Sequence, residues 1–286
     1  MPAPITPPPI ISGVADLARS KAAWICDIWG VMHNGVTAFE AAADACRKFR
    51  AQGGVVLLLT NAPRPAPSVI TQMTGLGVPG DAYDIVLTSG DMTRTLIERQ
   101  LPDSVFHLGP PRDKPLFAGF DVTFEGSFDA GFVVCTGLFN DERETPDDYE
   151  EVLGIFRSRN LPMICANPDI KVERGTKIVY CAGALAERYR DMGGQVTFAG
   201  KPHLPVYEHA LALLGDKLGR AVDKSEVLAI GDGLHTDIDG ALNAGIDALF
   251  IASKIHVQDG LDETTIDTLF PAGKPSPVAA MRRLVW

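Results

Sequence analysis

The chain predicts an α/β fold, a doubly wound parallel sheet interrupted by an inserted α/β domain, on three observations. Its strongest apolar runs, such as residues 55–59, are short and continuous rather than alternating, which marks strands covered on both faces. Each run gives way to polar residues or glycine and then to a stretch with helical spacing. This rhythm loosens from about Pro102 and resumes at Gly200-Lys201-Pro202, as an insertion would produce. At 286 residues the chain is long enough for two domains. The expected division is a core of residues 1–101 and 195–286 and an inserted domain of residues 102–194.

The elements follow in order. A proline-rich arm, MPAPITPPPI, reads as extended chain, and Ser12 is placed to cap a short helix to about Ser20. The first strand, 24–27, ends W-I-C-D, so a carboxylate arrives at the carboxyl end of a buried strand, where open α/β sheets bind ligands. Asp27 is therefore the candidate reacting group, because a carboxylate can attack phosphorus and split one displacement into two. An aspartate that merely caps a turn is the competing reading. Thr37 and Glu40 have capping-box spacing, and Ala42, Ala45, Cys46 and Phe49 share one helical face that ends at Gly53-Gly54. The second strand, 55–59, leads into Thr60-Asn61, a proline-broken loop and a helix to about Leu76. A third strand at 85–87 runs into Thr88-Ser89-Gly90, which opens another helix.

The insert reads as short strands near Val105 and Val122 and at 132–135 and 163–166, helices after Pro146 and at 182–192, and a returning strand at 196–199. Beyond Gly200-Lys201-Pro202 come a helix to about Leu214, a strand at 227–230, Gly231-Asp232, a helix over 237–244 and a strand at 248–251.

Composition narrows the function. Hydrophobic residues make up 46% and charged residues 22%, an ordinary globular balance. A formal net charge of −10 argues against nucleic acid or an anionic membrane as a partner. An acidic chain that handles an anion must concentrate positive charge locally, through a divalent metal, a lysine or helix amino termini. The five cysteines form no C-x-x-C pair and lie mostly in apolar runs, so reduced thiols and a cytoplasmic location are expected. No apolar run approaches the roughly 20 residues of a membrane span, and the amino terminus lacks a secretion signal.

Three strand ends supply the chemistry: Asp27; Thr60 with Asn61; and the pair Asp232 and Asp237 in G-D-G-L-H-T-D. Carboxylates converging on one crevice repel one another, and a bound cation resolves the conflict. Hard oxygen ligands suit Mg²⁺. Lys201 is the natural counter-charge to a phosphate and its nucleophile, and the Thr60 hydroxyl can donate to phosphate oxygens.

Asp27-x-x-Gly30-Val31, L-L-L-T-N at 57–61, G-K-P at 200–202 and G-D-G-L-H-T-D at 231–237 resemble, in order and spacing, the four motifs of the haloacid dehalogenase superfamily. The resemblance covers nearly the whole chain. It implies a Rossmann-like core, with the insert resembling the α/β cap of the NagD-like, class IIA phosphatases. It implies that Asp27 is the nucleophile, that Thr60 and Asn61 hold the phosphoryl group and that Lys201 stabilises an aspartyl-phosphate. Mg²⁺ would be held by Asp27, the backbone carbonyl of Trp29, Asp232 and Asp237. Asn167-Pro168-Asp169 resembles a turn near the cleft in such caps, and Arg64 is within reach of a substrate anion on the same reading. A plain Asx turn and a surface arginine are the competing readings. The expected activity is hydrolysis of a small phosphorylated metabolite, a sugar phosphate or an aryl phosphate. Caps in this family often pair across a two-fold axis, so a homodimer is expected.

The chain departs from the family at Trp29. Family phosphatases usually carry there an aspartate that protonates the leaving alcohol, which an indole cannot do. General acid catalysis is worth about 10²–10⁴-fold, so its loss weighs most on poor leaving groups. Three readings stay open: a substrate with a good leaving group, a surrogate acid of which His33 is the nearest candidate, or a catalytically weak protein that binds a phosphorylated ligand. His203 and His235 also lie near the motifs, but no pair of histidines has zinc-ligand spacing.

Overall fold

The computed structural model describes residues 7–174, 177–252 and 260–286, apart from the side chain of Glu173. Residues 1–6 of the proline-rich arm lie outside the described residues. The strands are β1 (Ala23–Asp27), β2 (Val55–Thr60), β3 (Ile85–Thr88), β4 (Val105–Leu108), β5 (Phe132–Cys135), β6 (Met163–Cys165), β7 (Lys171–Arg174), β8 (Lys177–Tyr180), β9 (Val196–Phe198), β10 (Val227–Gly231), β11 (Asp247–Ile251) and β12 (Ala279–Met281). The α-helices are α1 (Ala15–Ala18), α2 (Glu40–Ala51), α3 (Ala66–Leu76), α4 (Ser89–Glu98), α5 (Glu150–Ser158), α6 (Ala182–Asp191), α7 (Leu204–Leu218), α8 (Asp239–Asn243) and α9 (Glu263–Leu269). None of them is long and apolar enough to cross a membrane.

The chain divides into two compact units, residues 7–60, 70–87 and 201–286 in one and residues 61–69 and 88–200 in the other. In the first unit the strand order is β12-β11-β10-β1-β2-β3. Every residue of β1, β2 and β10 is buried, which is why these segments are apolar without alternation. β1 pairs in parallel with β10 on one side and β2 on the other, so chain order runs outward in both directions from the β1/β10 boundary. That boundary is the topological switch point, and Asp27 ends β1 while Asp232 follows β10 there. Trp24 stacks on Phe49 of α2 with ring centroids 4.1 Å apart, which anchors the helix that follows the first loop. The described part of the proline-rich arm extends this sheet: Ile10 bridges Ala280 in parallel.

Several local expectations need correction. α2 starts at Glu40 behind Phe39 with no side-chain cap, so Thr37 and Glu40 form no capping box. Instead the Asn34 side chain accepts the amides of Val36 and Thr37, an Asx turn that uses up the chain before the helix. α1 likewise begins behind Val14 without a side-chain cap, so Ser12 does not serve it. No strand forms at Val122; only Phe124 bridges Val105.

In the second unit β4, β5, β6 and β9 form a parallel sheet, and β7 and β8 an antiparallel hairpin. Alternate residues of β5 face opposite ways: Val133 and Cys135 pack with Leu153, Phe156 and Tyr189, while Phe132 and Val134 pack with Ile97, Leu116 and Ile164. Ile97 explains why α4 belongs with this unit rather than with the first, ahead of the boundary expected at residue 102.

His107 of β4 sits in this unit with Nε2 2.9 Å from the Thr136 hydroxyl, and burial holds its pKa down at about 4, helped by Lys114. The unfolded chain, with an ordinary histidine near 6.5, therefore binds more protons than the folded chain between those values. Stability rises with pH across that window and is lost as pH falls from about 6.5 towards 4. Discounted for partial solvation of the ring, the loss is about 1–2 kcal/mol. Melting curves at neutral pH and near pH 5 test this: the His107→Gln variant should lose less stability on acidification than the wild type, and an equal loss would reject the assignment.

Candidate active site

The first unit gathers Asp27, Lys201, Asp232 and Asp237 at the carboxyl ends of β1 and β10. All four are buried, none more than 9% exposed. Lys201 sits at the centre: its Nζ donates to Asp27 Oδ1 at 2.6 Å, to Asp237 Oδ1 at 2.7 Å and to the Leu59 carbonyl at 3.1 Å. Three acceptors match the three N–H bonds of an ammonium, so the side chain is fixed in direction as well as place.

Charge is not balanced by this lysine alone. Burial, then Asp237 and Asp232, push the Asp27 carboxyl well above its usual range, and Lys201 offsets this only in part. Burial opposes the charge on Lys201, but Asp237 and Asp27 outweigh it and hold the ammonium protonated. Three carboxylates against one ammonium leave the equivalent of two negative charges. Oxygens of Asp27, Asp232 and Asp237 lie within 4.8 Å of one another, a hard, all-oxygen donor set of the size one divalent cation takes.

The backbone has been shaped around these acids. Asp237 lies in a wide π-type turn, Leu234–Ile238, ahead of α8, rather than in the first turn of that helix. Its Oδ2 accepts the Gly233 amide at 3.0 Å, and the Tyr207 hydroxyl reaches the Thr236 and Asp237 carbonyls at 3.1 and 3.3 Å. Tyr207 carries no sequence signal beyond its place on the buried face of α7. Glycine is required at Gly30, which has φ +87° and where a Cβ would stand 2.3 Å from Asp232 Oδ2.

Thr60 is buried at the end of β2, one residue beyond Leu59, which lies in register with Asp27. Trp29 is half-buried and packs on its own loop, edge to face with His33 at 5.1 Å. His33 is 2% exposed, and its Nδ1 accepts the Gly35 amide at 3.0 Å. Burial lowers its pKa to about 4, so at neutral pH it is an uncharged ring that braces the loop. His235 is exposed and pairs with Asp239, and His203 is half-buried at the start of α7.

The remaining expected residues belong to the second unit. Asn61 Nδ2 donates to Asp169 Oδ1 at 2.9 Å, and Asn167 Oδ1 accepts the Asp169 amide at 3.0 Å, so the N-P-D segment is an Asx turn that also engages Asn61. Arg64 faces Asp113 at 3.9 Å, and Asp141 holds both Arg112 and Arg174.

Comparison with known proteins agrees with this geometry. Residues 24–123 match a model of haloacid dehalogenase-like hydrolases, and residues 198–280 match a second, HAD-hydrolase-like model. A solved hydrolase of the haloacid dehalogenase-like family from Brucella suis 1330 is 47% identical with a TM-score of 0.88, the match covering 96% of this chain and 100% of that one. The 5'-nucleotidase YutF of Bacillus subtilis is 27% identical over 88% of this chain and 97% of its own length. An acid sugar phosphatase of Staphylococcus epidermidis is 28% identical over 84% and 87% respectively. The chain belongs to the haloacid dehalogenase-like hydrolases, in their NagD-like, class IIA branch.

Proposed function

We propose that this chain is a Mg²⁺-dependent phosphatase that hydrolyses a small phosphorylated metabolite through an aspartyl-phosphate on Asp27. The observation that carries the reading is Lys201, held between Asp27 and Asp237 amid three buried carboxylates. An oxygen of Asp27 attacks phosphorus while Lys201 offsets the charge that gathers on the nucleophile and the phosphoryl oxygens. The Thr60 hydroxyl donates to a phosphoryl oxygen. Water then cleaves the Asp27–phosphorus link and restores the carboxylate. Asp27, the Trp29 carbonyl and Asp232 are assigned to Mg²⁺ directly, with Asp237 binding it through water or orienting the shell. When bound, the cation cancels the excess negative charge and withdraws charge from the phosphoryl oxygens. Asn61, Arg64, Asn167 and Asp169 are assigned to the substrate, of which a sugar phosphate and an aryl phosphate are the two favoured types.

Hydrolysis of para-nitrophenyl phosphate should require Mg²⁺, fall to background with chelator and return when the cation is restored. Turnover that chelation leaves untouched would reject the metal assignment. A second reading, a protein that binds a phosphorylated ligand with little turnover, is favoured by one feature, the indole at position 29.

A further inference from the structure

The loop after β1 is built around an indole, carried two residues after Asp27 and packed on His33. Gly35 has φ +84°, and a Cβ there would lie 2.6 and 2.7 Å from Trp29 Cζ2 and Cη2, so only glycine lets this backbone approach the ring so closely. The Gly35 amide is fixed by His33 Nδ1 at 3.0 Å, and the Gly30 amide donates to the His33 carbonyl at 2.8 Å. Gly30, His33 and Gly35 are thus the frame of Trp29.

Among the described residues of this unit, the side chains bonded to Asp27 or carried on the loop after β1 and the end of β2 hold no proton free for a departing oxygen. All three N–H bonds of Lys201 are directed at Asp27, Asp237 and Leu59. Asp237 accepts from Lys201 and from the Gly233 amide, and on the reading above it and Asp232 serve the cation. The Nδ1 of His33 is an acceptor, and the ring is 2% exposed behind Trp29. The Thr60 hydroxyl and the Trp29 indole are too weakly acidic to protonate a leaving group.

We infer that the enzyme acts on phosphate esters and anhydrides whose leaving oxygen departs as a stable anion, phenols and carboxylic acids rather than simple alcohols. The inference rests on the phosphatase reading and deepens it. In the first step a bond forms between Asp27 and phosphorus, the bond from phosphorus to the leaving oxygen breaks, and its electron pair stays on that oxygen. The phenolate or carboxylate leaves unprotonated and equilibrates with solvent. In the second step a water oxygen bonds to phosphorus, the Asp27 oxygen takes back its electron pair and the water's proton passes to phosphate or solvent.

The test is kcat/KM for a graded series from para-nitrophenyl through phenyl to ethyl phosphate, since this ratio reports the steps up to leaving-group departure. For the wild-type protein kcat/KM should fall steeply as the leaving group becomes more basic. Trp29→Asp should flatten that dependence, raising the ratio of ethyl to para-nitrophenyl phosphate kcat/KM by about 10²–10⁴-fold. A shallow dependence in the wild-type protein, with turnover still requiring Asp27, overturns the inference and leaves the phosphatase reading standing, and this arm needs no variant to fold. Turnover that survives Asp27→Asn overturns the underlying reading itself.

Discussion

Replacing Asp27 by asparagine should lower para-nitrophenyl phosphate turnover by at least about 10⁴-fold, to background, because the amide cannot form the covalent intermediate. The same variant should be more stable than the wild type when chelator is present. Burial, then Asp237 and Asp232, push the Asp27 carboxyl well above its usual range, so the fold opposes ionisation of this group. A group whose folded pKa lies above its unfolded value destabilises the fold once pH passes the unfolded value, and asparagine removes that penalty at neutral pH. Added Mg²⁺ should reverse the order, raising the melting temperature of the wild type more than that of the variant, which has one carboxylate fewer. Parallel activity and melting measurements check both arms. Residual activity near wild type, or a variant that melts lower in chelator, would count against a nucleophile held in place at the expense of stability.

Much of this site is legible in the sequence because its parts are local. Asp27 is announced by an apolar run that ends in an acid, and burial of all of β1 follows from that run being continuous. Lys201 and Asp232 stand next to glycines and Asp237 follows Gly233 by one turn, close enough to the end of β10 for spacing alone to put the two acids on the side of the parallel sheet where Asp27 ends β1. What is not legible depends on long-range geometry. Tyr207 reads as one more buried residue of α7, and only the fold brings its hydroxyl to the Asp237 carbonyl. Thr37 and Glu40 satisfy a capping pattern that the Asn34 turn pre-empts. β12 is three residues long, too short for a period to be read, and is a strand because β11 and the Ile10 segment lie on either side of it. The wide turn that holds Asp237 likewise has helical composition but a different backbone, set by its glycine flank and the bond from Gly233.

Lys201→Met should be damaging in two separable ways. The methionine keeps most of the buried aliphatic stem, so the change isolates the ammonium. Without it Asp27 and Asp237 lose the only ion-pair partner that either has among the described residues. Removing one member of a buried ion pair leaves an uncompensated charge at a cost of about 3–5 kcal/mol, and urea unfolding in chelator should show a lower midpoint at an unchanged slope. Turnover should fall by about 10²–10³-fold even with saturating Mg²⁺, because the cation supplies charge but not the bond that orients the Asp27 oxygen. Mg²⁺ should therefore recover much of the lost stability and little of the lost rate. That split distinguishes a lysine that acts on the nucleophile from one that only balances buried charge: if Mg²⁺ restored both together, the ammonium would be no more than a counter-ion, and Asp27 would owe its orientation to β1 alone.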